Sequence, residues 1–283
     1  MSTTGIVTDS TNCLPQDVIE EYGIKVIPVG LTLDGNDYWD IELSNDDFWT
    51  LFKKAKSLPT TNAASPGSFV KVFEDLAQNT DSIVCILVSK ALSATNEVAV
   101  QAIKIIKDKY PALNIEIVDS KTSSGALGFI VLEAARAARS GKSLQEIVQV
   151  AEEMIPRVKF VTAMHTLKYL IKTGRAPKTA YLGEVFQTKP LIGMVSNSGL
   201  VDSLGRVNGK KKAAVKLVEL MEDYIDITKP VHIMVHYTDN IRDAEELKDM
   251  VISRVNCIEL YITPYSPVMA SAVGPVIALS FYT

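Results

Sequence analysis

Three short hydroxyl-rich loops hold most of the chemistry this chain could do. They lie within GIVTDSTNCLP (residues 5–15), VCILVSKALSATNE (84–97) and IEIVDSKTSSGALGFI (115–130). Each loop follows a β-branched run and leads into an apolar helical pattern, so each reads as a strand–loop–helix junction. Such junctions point backbone N–H groups and small hydroxyls into the crevice beyond a parallel sheet, where α/β proteins bind ligands. The candidate ligand contacts in these loops are Asp9, Ser93, Ser120, Ser123, Ser124 and Gly125. Taken alone, each hydroxyl also fits a turn or a helix cap, Ser93 above all. Three such loops converging at one sheet edge describe a binding crevice rather than a charged catalytic centre.

Other reactive side chains are less well placed. His232 and His236 have the i, i+4 spacing of a helical zinc pair, but VHIMVHYT is β-branched. Four residues along a strand cover roughly 13 Å, too far for one metal ion. His165, just ahead of LKYLIKTGR, reads as a helix-start residue. Cys13, Cys85 and Cys257 are scattered and odd in number, which predicts buried free thiols in a reducing compartment. Gly-x-Ser-x-Gly, Walker and dinucleotide fingerprints do not occur. Gly125 and Gly128, opening a helix, could cradle a phosphate. Lys210, Lys211 and Lys212 sit at the positive end of a predicted helix, where cations are unfavourable. They read either as a solvated face or as a docking patch for an acidic partner or a phosphate-bearing head group. Arg175, after the Gly-broken helix end LKYLIKTG, is the better-placed single cation.

The elements that must position these residues fall into two groups. At 283 residues the chain exceeds what one average core serves, which predicts two domains, 1–157 and 158–283. In the first, the runs GIVTDS, KVIPVGLTL, SIVCILVS and IEIVDS read as strands alternating with helices. This predicts right-handed βαβ units and a mostly parallel, Rossmann-like sheet. In the second, VKFVTAM, KPLIGMVS, GLVDSLGRV, PVHIMVHYT, CIELYITPY and PVIALSFYT read as strands. Helices are expected at 165–172, 210–225 and 240–254, and a hairpin at SNSG, giving an α+β domain with an antiparallel component. A cleft between the halves is the natural ligand site.

A net charge of −4, with no basic stripe bearing aromatics, argues against nucleic-acid binding. The first residues lack the basic-then-apolar pattern of a secretory signal, and no window approaches a membrane span. The expectation is a cytoplasmic protein.

Several short blocks, in order, resemble the DegV family of bacterial fatty-acid-binding proteins. They are TDST–x–x–LP, Pro-Thr-Thr before a Ser-Pro helix start (59–66), LSAT (92–95), VDSKTSSGALG, YLIKTGR, KPLI (189–192) and Gly274–Pro275. The resemblance covers essentially the whole chain. It implies a two-domain, non-enzymatic carrier that holds a long-chain fatty acid in a buried tunnel and presents it to a fatty acid kinase for phospholipid synthesis. It also implies that Thr61 of TNAAS and Ser93 of SAT are the head-group hydroxyls, and that Arg175 occupies the family's Gly-Gly-Arg block. No cofactor or metal is implied beyond the bound acid; transient membrane contact and a monomer or homodimer are compatible with it.

The chain departs from the family pattern at Ala63–Ala64, Ala94 and Asn208, and above all at Ala272, where many members carry a His. An anion buried against two neutral hydroxyls is poorly compensated, which predicts tolerance of an uncharged head group. Two rivals remain open. One is a phosphotransfer or hydrolytic enzyme using Ser93 or Asp119; the other is a binder of a different apolar acid.

Overall fold

The computed structural model describes residues 4–177 and 188–283. The first half is built on a parallel sheet of β1 (Gly5–Asp9), β2 (Lys25–Ile27), β6 (Ser82–Leu87) and β7 (Asn114–Asp119), in the order β2-β1-β6-β7. Because all four strands run the same way, the loops after β1, β6 and β7 emerge at one edge. Helices α3 (Pro66–Ala77) and α4 (Thr95–Lys107) cover one face, where Phe69, Phe73, Ile83 and Leu87 are fully buried.

The run KVIPVGLTL is not one strand. Pro28 has no N–H to give a ladder, and the chain leaves the parallel sheet there to start β3 (Gly30–Leu33). With β4 (Asn36–Trp39) and β5 (Thr60–Asn62), β3 forms a small antiparallel sheet, order β4-β3-β5. This sheet, which the strand pattern does not predict, is what carries Thr61. Its hairpin turns at Asp34 and Gly35, both at positive φ (48° and 82°), the signature of a tight two-residue turn.

The second half is a six-stranded mixed sheet: β8 (Lys159–Met164), β9 (Thr188–Met194), β10 (Asp202–Asn208), β11 (Val231–Tyr237), β12 (Cys257–Pro264) and β13 (Val276–Tyr282). Its order is β10-β9-β8-β13-β11-β12, antiparallel except for the β11–β12 pair. Helices α8 (Lys210–Tyr224) and α9 (Ile241–Ile252) pack on one face over Leu217, Leu247, Ile233 and Phe281. β10 begins at Asp202 rather than Gly199, and the short α7 (Lys168–Lys172) starts beyond His165. His165 instead donates its backbone N–H to the Pro275 carbonyl at 3.2 Å.

Helix α5 (Ser124–Arg139) joins the two halves, packing on β1 and β6 of the first sheet and on β8 and β13 of the second. Its Ala- and Gly-rich sequence permits both approaches. A Cβ at Gly128 would lie 2.4 Å from the Asn12 carbonyl oxygen, and one at Gly125 would lie 2.5 Å from His236 Nε2. Gly125 is therefore a close-packing residue, and the phosphate-cradle reading of Gly125 and Gly128 is corrected. The following α6 (Leu144–Met154) opens with a reciprocal Ser143–Glu146 capping box.

Candidate functional site

The loop after β1 is held by Asp9. Its Oδ1 accepts from Thr11 N–H (3.0 Å) and Thr11 Oγ (2.5 Å), and its Oδ2 accepts from Val88 N–H (2.8 Å). Full burial raises the Asp9 pKa, and these donors offset part of that cost. Asp9 thus ties two loops together and does not reach the cavity. Ser120 donates to the Thr122 carbonyl at 3.1 Å, and Ser124, at φ 59°, donates to the Tyr265 hydroxyl at 3.1 Å. The expectation that Asp9, Ser120, Ser124 and Gly125 contact a ligand is corrected on this geometry. All four are committed to the protein's own backbone and core.

Ser93, Thr61, Ser123 and Arg175 do come together. They line a cavity of about 760 Å³, open mouth included, whose other walls are mostly aliphatic: Val88, Leu92, Ile192, Met194, Val268 and Val273 among them. α10 (Pro267–Val273) supplies part of that wall and packs on β3 and β5. Asp40, buried and pushed up to about 6 by desolvation, accepts from Val268 N–H at 2.7 Å and so fixes the start of α10. Ala94 holds the N-cap position, while Ser93 Oγ pairs with Thr95 Oγ1 at 2.8 Å and accepts from the Thr95 N–H at 3.3 Å, so it serves the helix start as well as lining the cavity.

Arg175 stands at the polar end. Its Nε donates to the Leu92 carbonyl at 2.7 Å, and Nη1 donates to Thr61 Oγ1 at 3.1 Å. Thr61 Oγ1 therefore receives one hydrogen bond and keeps its own proton for a second partner. Desolvation pulls the Arg175 pKa below the usual arginine range, and among the described residues no carboxylate pairs with it. It is also the only ionisable side chain among the described residues lining the cavity. Ala272 lies on the same wall and faces the cavity.

The arrangement can hold an anion at one end of an apolar space. A family model described as "Uncharacterised protein, DegV family" matches residues 3–283. The chain belongs to the DegV family. A DegV domain-containing protein of Caldanaerobacter subterraneus is 34% identical over 225 residues, covering 79% of this chain and 78% of its own. Another, from Streptococcus pyogenes, is 31% identical over 274 residues, covering 95% of this chain and 94% of its own. Among solved structures, a fatty-acid-binding DegV family protein from Thermus thermophilus superposes with a TM-score of 0.90. It is 26% identical, and 99% of each chain is covered.

The remaining candidates lie elsewhere in this DegV chain. Asp119 Oδ1 accepts from the Lys90 and Lys121 N–H groups, outside the cavity. His232 bonds Glu259 at 2.6 Å. His236 is held between Thr263 and Ser280, where burial lowers its pKa to about 3 and keeps the ring neutral. Lys210 pairs with Asp243. Cys13 and Cys85 are buried free thiols, and desolvation pushes Cys13 up to about 12; Cys257 is half-buried. Among the described residues no helix is long and apolar enough to cross a membrane.

Proposed function

We propose that this protein binds one long-chain fatty acid, its carboxylate at Arg175, Thr61 and Ser93 and its chain along the aliphatic walls, and carries it without chemical change. The observation that bears most weight is the half-buried Arg175 guanidinium, without a carboxylate partner among the described residues, at the polar end of an otherwise apolar cavity. An entering carboxylate would restore the charge balance that burial removed. The fatty-acid-binding relative from Thermus thermophilus supports the same ligand class. Burying about 14 methylenes at roughly 0.8 kcal/mol each amounts to about 11 kcal/mol gross. Each hydrogen bond to the charged head adds about 1.5–3 kcal/mol. The tail thus supplies affinity, and the head group sets direction.

The carrier reading over an enzyme rests on the lining. Ser93 has a hydroxyl neighbour, Thr95, and the described lining residues include no His, Asp or Glu to act as its base. Delivery to a fatty acid kinase in the cytoplasm, transient membrane contact during loading, and a monomeric or homodimeric state belong to the same proposal. So does the division at 157/158. Thr61 and Ser93 come from before it, and Phe160, Ile192 and Val273 come from after it.

Organic extraction of freshly purified protein, followed by mass spectrometry, should recover one acyl species. Thr61→Ala and Ser93→Ala should each weaken binding by about 1–3 kcal/mol with the fold intact. Repeated preparations of folded protein that yield no acyl species would overturn the proposal.

Ala272 bears on the head group's charge. The expectation of a neutral-tolerant site treats the missing His as uncompensated, whereas Arg175 stands within hydrogen-bond reach of Thr61. We therefore expect Ala272→His to change the preference for a fatty acid over its amide by less than about threefold, well under one charge-assisted hydrogen bond. Titrating both ligands into parent and variant between pH 5 and 9 checks it. A tenfold gain for the acid would show that Arg175 does not fill the role.

A further inference from the structure

Resting on the fatty-acid reading, we propose that residues 195–201, the turn between β9 and β10, form a flap over the cavity, and that Ser89 is its latch. The turn is stiffened by its own contacts. Asp202 Oδ2 accepts from the Val195 and Ser196 N–H groups at 2.9 and 3.0 Å, and its Oδ1 accepts from Ser196 Oγ at 2.8 Å. Ser198 Oγ lies 2.9 Å from Ser196 Oγ, to which it can donate, and accepts from Leu200 N–H at 3.1 Å. Asn197 (φ 54°) and Gly199 (φ 78°) complete the reversal.

This stiff unit is tied to the first half by little. Among the described residues, one hydrogen bond connects 195–201 to that half: Ser89 Oγ donates to the Gly199 carbonyl at 2.7 Å. The seat is close, since a Cβ at Gly199 would lie 2.6 Å from Ser89 Oγ. Both flanks of the flap border the ligand space, because Met194 and Val201 line the cavity. The latch also belongs to the loop of the head-group hydroxyl. The Ser89 carbonyl accepts from the N–H groups of Leu92 and Ser93, and the Leu92 carbonyl holds Arg175. A stiff turn with one hydrogen-bonded tie, otherwise seated only by packing of Val201 and Gly199, moves as a body, and its displacement uncovers the wall between Met194 and Val201. The flap is the route of the acyl chain, and the latch sets exchange rate more than affinity.

Stopped-flow fluorescence with parinaric acid, a fluorescent fatty acid, tests this. Ser89→Ala should raise release and uptake rates about tenfold, the effect of one lost hydrogen bond, with affinity changed less than about threefold. A second variant, Ser89→Cys with Gly199→Cys, closes the latch covalently. Uptake should slow by at least about tenfold when it is oxidised and recover on reduction. Unchanged exchange rates in both folded, acid-binding variants overturn the flap alone. A parent protein that takes up no parinaric acid and carries no extractable acid overturns the fatty-acid reading, and the flap with it.

Discussion

Gly274→Ala is expected to cost about 3–5 kcal/mol of stability, far more than alanine at any exposed glycine. Gly274 ends α10 at φ 69°, ψ −157°, a region that L residues occupy only under strain of about 1–3 kcal/mol. Space is missing as well. A Cβ there would lie 2.2 Å from Cε2 of Tyr169, a buried ring that stacks on Phe52 with centroids 5.8 Å apart. The ring cannot retreat without disturbing that stack, so overpacking adds about 1–3 kcal/mol. Gly141, at φ 78° with nothing within 4 Å of its would-be Cβ, shows what a positive φ costs where no neighbour is met. Urea melts of the two alanine variants against the parent separate the effects. Equal losses at both positions would mean that neither the Tyr169 contact nor the extended ψ at Gly274 adds to the cost.

Removal of the Arg175 charge is the second large effect expected. Arg175→Leu keeps an aliphatic wall but deletes the guanidinium beside Thr61 and its bond to the Leu92 carbonyl. Binding of a fatty acid should fall by about 2–3 kcal/mol, roughly 30- to 150-fold, while the corresponding amide loses much less. The bound acid's pKa should rise in the variant, because desolvation then acts without a counter-charge. The bound fraction should accordingly increase as pH falls through the new, higher value. In the parent, where Arg175 favours the ionised acid, the same acidification should leave binding nearly level, because bound and free acid are both ionised until the pH falls to the free acid's own carboxyl pKa. Isothermal titration across pH 5–9 decides this, and equal acid affinity in parent and variant would remove Arg175 from the site.

The parallel sheet of the first half was legible because its β-branched runs alternate with helical patterns, and parallel strands then bring their loops to one edge. What those loops do there was not legible from residue type. Ser93 and Ser124 look alike in sequence; one faces the cavity, and the other spends its proton on Tyr265. That difference is set by packing partners far away in the chain. The Arg175–Thr61 contact spans 114 residues, and no local spacing encodes it. Some unread elements did carry signals. Asp34–Gly35 between apolar runs marks the β3–β4 hairpin, and Ser143 followed by Glu146 marks the start of α6. α10 offers only a Pro-opened, seven-residue run, too short for periodicity to separate it from a strand.

The cavity's walls come from residues as far apart as Thr11 and Val273, on both sides of α5. Any molecule lodged there is a strut between the two sheets, and its occupancy counts toward the folding equilibrium. At a free concentration 100 times its dissociation constant, such a ligand adds about 2.7 kcal/mol. The empty chain is then the form that opens more often and offers itself to proteases. Supply of such a ligand would in this way bear on how much of the protein persists.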